Sequence, residues 1–220
     1  MTVWDVGGVT TYGGTGSNTT AMMLARENIA PGTMHQGVSD ATRMHIVVPA
    51  GIGHYSVKSA LGWIGCGGRI IEVPTRGYRY DLAALERTLR QRQGEIMAVV
   101  AYTGDSRTHT VENLRAVHDL TRAVDPRIWL HADACWDLMC AFAPELAPKL
   151  AGIEDFDSVT VDPHKVMDIP YAMSALLVRD PASLRLVSSY SGLIMQEDFA
   201  FGQSPRSSAP RNGPPSSCGR

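Results

Sequence analysis

The chain has 220 residues, of which 44% are hydrophobic and 19% charged, with a formal net charge of -2. That apolar share builds a packed core and excludes wholesale disorder. The near-neutral balance gives no electrostatic case for a nucleic-acid partner, and no apolar run approaches the roughly 18 residues that a membrane span needs.

The first pattern along the chain is Gly-rich, Gly13-Gly14-Thr15-Gly16-Ser17-Asn18, a loop with cap residues that leads into a predicted helix over Thr19 to Asn28. A short apolar strand is predicted at His45 to Pro49, a helix at Tyr55 to Ile64 and a strand at Arg69 to Val73. Leu82, Leu85 and Leu89 share one face of a helix over Leu82 to Gln93. Ile96 to Tyr102 reads as a buried strand. A helix follows over Val111 to Val124, with Leu114, Val117 and Leu120 inward. Further strands are predicted at Ile128 to Ala132, Ser158 to Val161 and Ala172 to Arg179, with a helix or turn from Ala182 to Val187. This alternation predicts an α/β fold with a largely parallel sheet. In such sheets ligands bind beyond the carboxyl ends of the strands.

Four segments near predicted strand ends carry candidate chemistry. Thr10 to Asn18 places hydroxyls and free backbone amides at a helix start, where phosphate binds, although it lacks the spacing of a nucleotide P-loop. His54 stands at a strand-to-helix junction and reads as a cap, a core residue or a ring that stacks on a flat cofactor. Asp133, in His131-Ala132-Asp133-Ala134-Cys135, reads as a helix N-cap when taken alone. At the end of a buried strand it also suits a cationic partner such as a protonated pyridine nitrogen. Lys165, in Asp162-Pro163-His164-Lys165, reads as a surface lysine or as a Schiff-base lysine whose amine is depressed by burial or nearby positive charge. Lysine occurs only at Lys58, Lys149 and Lys165 in a chain rich in arginine, which favours a position where arginine cannot substitute.

Taken together, the segments TTYGGTGSN, HYSVKSALGWIG, TVENL, WLHADACW and DSVTVDPHKVMDIPYAMSALLVRD resemble the group II pyridoxal-phosphate-dependent decarboxylases. The resemblance runs from Gly8 to about Phe201. It implies the large domain of the aspartate-aminotransferase-type fold (fold type I), pyridoxal 5'-phosphate as cofactor, an amino acid as small-molecule substrate and a homodimer. It places Gly14 and Thr15 at the phosphate, His54 over the pyridine ring and Asp133 on the ring nitrogen, with Ala134 under the other face. His164 reaches the phosphate, Lys165 carries the cofactor as a Schiff base and Ser106 sits near it. Tyr190 falls about where some relatives carry a loop tyrosine that protonates the intermediate. The implied reaction is decarboxylation of an amino acid. A carbon–carbon lyase of the same fold and a catalytically inactive truncated remnant are the alternatives.

The chain departs from the family in three ways. Family chains are about twice as long, so residues 1–203 are expected to be an incomplete cofactor-binding domain. Asp137 stands where relatives usually have glycine, and Asp105 replaces a hydroxyl-bearing or small residue. From Ser204 to Arg220 the chain becomes a Pro/Ser/Gly/Arg tail that is expected to be disordered. Codons TCA CCC CGT TCA TCG GCT CCA would encode its start. One G placed before them gives VTPFIGS, so the tail is expected to be a frameshifted extension, which the gene sequence tests. The N-terminus shows no signal-peptide pattern. Cys66, Cys135, Cys140 and Cys218 have neither metal-ligand spacing nor a disulfide pattern, so the cytoplasm is expected.

Overall fold

The computed structural model describes residues 6–188. Strand β1 (Gly7–Tyr12) runs directly into helix α1 (Gly13–Ile29), and one further helical turn, α2 (Thr33–Gln36), follows. Next come β2 (His45–Pro49), α3 (Tyr55–Trp63), β3 (Ile70–Val73), the hairpin of β4 (Thr75–Arg76) and β5 (Arg79–Tyr80), and α4 (Leu82–Gln91). The second half holds β6 (Ile96–Tyr102), α5 (Leu114–Val124), β7 (Trp129–Asp133), β8 (Ser158–Val161), the short α6 (Pro163–Val166) and β9 (Met173–Val178).

Seven strands form one sheet in the order β1-β9-β8-β7-β6-β2-β3. Strands β3, β2, β6, β7 and β8 run parallel, while β9 runs against both β8 and β1. The α/β class and the largely parallel sheet agree with the sequence reading.

Side-chain alternation along the central strands divides the core into two layers. Ile46, Val48, Ala98, Val100 and Tyr102 share one layer with Ala21, Met22, Leu24 and Ala25 of α1 and with Val57, Ala60 and Leu61 of α3. Val47, Val99, Ala101, Leu130 and Ala132 pack on the other face against Leu85 and Leu89 of α4, Leu114 and Val117 of α5, and Phe156. β6 is buried at every position, which is why IMAVVAY has no polar alternation. Each fully buried leucine contributes about 1.5–3 kcal/mol to this packing. Asp81 caps α4 by accepting from the Ala84 N–H, and Asn113 caps α5 by accepting from the Ala116 N–H at 3.3 Å.

Two boundaries correct the sequence reading. The segment Gly13 to Asn18 is not a loop but the opening turns of α1, continuous with a strand β1 that the sequence pattern did not reveal. Its Gly13 N–H donates to Ala172 O at 2.7 Å, which anchors the turn at positive φ. Helix α5 starts at Leu114 rather than Val111, because Val111 forms an isolated bridge with Thr103 and Asn113 serves as the cap. Strands β2, β6, β7 and β8 end at one edge of the sheet. Their carboxyl ends and the turns that follow carry His54, Ser106, Asp133 and Lys165.

Candidate functional site

A cleft of about 530 Å3 opens at that edge and brings together Gly14, Thr15, His54, Ser106, Asp133, His164 and Lys165. Gly14 and Thr15 lie in the first turn of α1, whose first backbone N–H groups have no partner within the helix. A Cβ on Gly14 would lie 2.6 Å from Asp162 Oδ2, so only glycine lets the helix start approach that carboxylate.

Asp133 is the last residue of β7, and Tyr102 lies opposite it at the end of β6. Asp133 as a residue is 4% exposed. Asp133 Oδ2 accepts from Asn18 Nδ2 at 3.0 Å, and Oδ1 takes a longer bond of 3.4 Å from the Cys135 N–H. No cationic side chain forms an ion pair with it among the described residues. Ala134 does not line the cleft. It is buried behind it, with its N–H donating to Thr160 O.

Lys165 sits on α6, and its Nζ pairs with Asp162 Oδ2 at 2.7 Å. The Trp136 ring lies beneath, its centroid 5.3 Å from Nζ, a cation–π distance. Burial, the largest influence, pulls the amine down. Cys135, Asp162 and Asp133 together outweigh it and hold Lys165 above the ordinary lysine range. This corrects the expectation of a depressed amine, because the groups that surround it are acidic. Asp162 is buried and accepts from Ser174 Oγ as well as from Lys165. Burial raises its carboxyl, but these bonds prevail and hold it below the usual range. His164 donates through Nδ1 to Met173 O at 2.8 Å, which leaves its Nε2 unengaged.

His54 caps α3, its Nδ1 accepting from the Ser56 N–H at 3.2 Å. Desolvation keeps the ring below the ordinary histidine range, against the pull of Asp133 and Asp162. Asp105 ties two loops together, accepting from the Gly53 N–H at 3.0 Å and from the Arg107 N–H at 3.1 Å. Asp137 packs on Gly104, where a Cβ would overlap it, and pairs with His109 at 3.2 Å. Both acidic departures from the family therefore have structural partners.

The sequence reading missed Asn18, Asp162, Trp136 and Tyr102 as lining residues. Asn18 and Asp162 lay inside segments already singled out, but nothing in their spacing reveals partners elsewhere in the chain. Tyr190 and the tail from Ser204 lie outside the described residues.

Residues 2–199 match the family model described as the pyridoxal-dependent decarboxylase conserved domain. A glutamate decarboxylase-like protein of Gibberella zeae is 31% identical over 215 residues, covering 94% of this chain and 41% of that protein. An L-2,4-diaminobutyrate decarboxylase of Rhizobium meliloti is 29% identical over 200 residues, covering 89% of this chain and 38% of the relative. Among solved structures, mouse CSAD in its apo form is similar with a TM-score of 0.79 at 26% identity, over 89% of this chain and 42% of the other. Oryza sativa TDC, solved with PLP and tryptamine, shares the fold with a TM-score of 0.77 at 22% identity. The chain spans about two-fifths of the length of these relatives.

Proposed function

The chain belongs to the pyridoxal-dependent decarboxylase family, and we propose that it is the cofactor-binding part of an amino acid carboxy-lyase, with pyridoxal 5'-phosphate held on Lys165 and an amino acid as small-molecule substrate. Residues 1–203 form the cofactor-binding domain in this reading. The observation that carries it is Asp133. A buried carboxylate lies in the same cleft as a lysine, hydrogen-bonded to an amide and a backbone N–H but ion-paired with no cation among the described residues. Such a group is costly to bury alone, and a protonated ring nitrogen is the partner it lacks.

When bound, the cofactor supplies an electron-accepting ring for the pair released as the Cα–carboxylate bond breaks. The chain's own residues do the rest. The free N–H groups at the start of α1, at Gly14 and Thr15, and His164 Nε2 would take the phosphate. His54 would stack on the ring and exclude water. Asp133 would hold a proton at the ring nitrogen. Ser106 adds a hydroxyl at the rim. Lys165 must lose a proton before its amine can attack, and its pair with Asp162 Oδ2 holds that proton on the amine until the cofactor arrives. Tyr190 is the proposed donor of the proton that replaces the carboxylate at Cα.

A cytoplasmic homodimer belongs to the same reading. Tyr12 and Tyr171 are 87% and 89% exposed, which suits a surface that a second subunit covers. No helix among the described residues is long and apolar enough to cross a membrane.

The test mixes the protein with pyridoxal 5'-phosphate. A visible absorption band that Lys165→Ala removes, together with CO2 release from a member of an amino acid panel, is the expected result. Absence of the band in the unaltered protein overturns the cofactor reading. A band without CO2 release from any amino acid overturns the carboxy-lyase.

A further inference from the structure

Asp133 stands at the end of a buried train of polar groups. Trp129 Nε1 donates to Ser158 Oγ at 2.8 Å, and Ser158 Oγ lies 2.8 Å from His131 Nδ1. His131 Nε2 lies 3.0 Å from Asn18 Oδ1, which also accepts from Thr160 Oγ1 at 2.8 Å. Asn18 Nδ2 then donates to Ser56 Oγ at 2.9 Å and to Asp133 Oδ2 at 3.0 Å. Ser158, His131, Asn18 and Thr160 are each no more than 1% exposed, so water cannot substitute for any of these partners.

The donor and acceptor inventory fixes the protons. An ionised Asp133 only accepts, so the Asn18 amide must turn its NH2 toward it and its oxygen toward His131. That oxygen only accepts, so His131 carries its proton on Nε2. The neutral ring then accepts at Nδ1, which directs the Ser158 hydroxyl proton toward it while the serine oxygen accepts from the indole. Every member is satisfied, and Asp133 Oδ1 keeps accepting capacity beyond its one long bond.

We propose that Asn18 and His131 are positioning residues for Asp133: the train from Trp129 through Ser158, His131 and Asn18 holds that carboxylate in place, with an oxygen free to accept, for a ring nitrogen in the cleft. The inference rests on the cofactor reading above. It assigns the work of setting the ring-nitrogen contact to an amide on α1 and an imidazole on β7, neither of which lies within the contact itself.

The experiment compares the affinity of the 220-residue apoprotein for pyridoxal 5'-phosphate and for its 1-deaza analogue, which has no ring nitrogen. The unaltered protein should prefer the natural cofactor by roughly 10- to 100-fold, as a charge-assisted hydrogen bond provides. Asn18→Leu and His131→Leu should lower that preference to about threefold or less. His131→Gln should retain it, because a glutamine amide can still donate to Asn18 Oδ1. Equal weakening of both compounds by the leucine variants would make the train a purely structural network and overturn the proposal. If Asn18→Leu does not fold, the His131 pair decides alone. An unaltered protein that binds both compounds equally overturns the Asp133 contact and this inference with it. One that binds neither overturns the cofactor reading as a whole.

Discussion

Histidine 131 shows how far burial governs chemistry at a single side chain. Burial, opposed by Asp133 and by a hydrogen bond to the Ser158 backbone, pulls it from the ordinary 6.5 down to about 4. The ring is therefore neutral in the folded protein at neutral pH. Long-range nitrogen–proton NMR should place its proton on Nε2 and show no change of charge between about pH 5 and 9. The linkage follows directly. The unfolded chain takes up a proton near 6.5 and the folded one only near 4, so stability falls as pH drops through that window. The loss is on the order of 3 kcal/mol from this group. Chemical denaturation at pH 7 and at pH 4, with His131→Gln for comparison, measures it; an equal loss in that variant would assign the effect elsewhere. Lys165 presents the opposite case. Its neighbours keep it protonated, so Asp162→Asn should lower the amine and shift cofactor capture by Lys165 toward lower pH. Stopped-flow absorbance across pH tests this, and an unchanged profile would remove Asp162 from the role.

Helices and strands place these groups through their ends rather than their middles. The turn between β2 and α3 is an instance. Gly53 has φ +89°, and a Cβ there would overlap the Tyr102 ring. Gly53→Ala should cost at least about 2 kcal/mol in denaturant unfolding, since strain and overpacking add, and it should displace His54 and weaken cofactor binding. A stability change within about 0.5 kcal/mol would refute that account. This scale also shows what could be read from the sequence. The long periodic elements were legible: α4 from its leucines, β6 from its unbroken apolar run, and the positions of Lys165, His54 and Asp133 from polar groups at strand ends. Strand β1 was not, because Gly7 to Tyr12 lies on the sheet edge with only Gly7 buried, and its glycines mimic a turn. Asn18 was not, because its meaning lies in Asp133, 115 residues away.

At the scale of the whole molecule, the proposed homodimer predicts a sedimentation mass twice that of one chain, and Tyr12→Asp should shift it toward the monomer. A chain that sediments as a monomer at every concentration would exclude the dimer. The sheet's closing seam matters for the time course of folding. β1 pairs along its full length with β9, Gly7 against Val178 and Tyr12 against Met173, so the first described strand must wait for the last. Such a long loop closure is slow compared with local helix formation. Helix α1 hangs from β1 and carries Gly14, Thr15 and Asn18. On the ribosome, half of the phosphate cradle therefore remains unplaced until β9 has emerged, and ligand affinity should be the last property the refolding chain acquires.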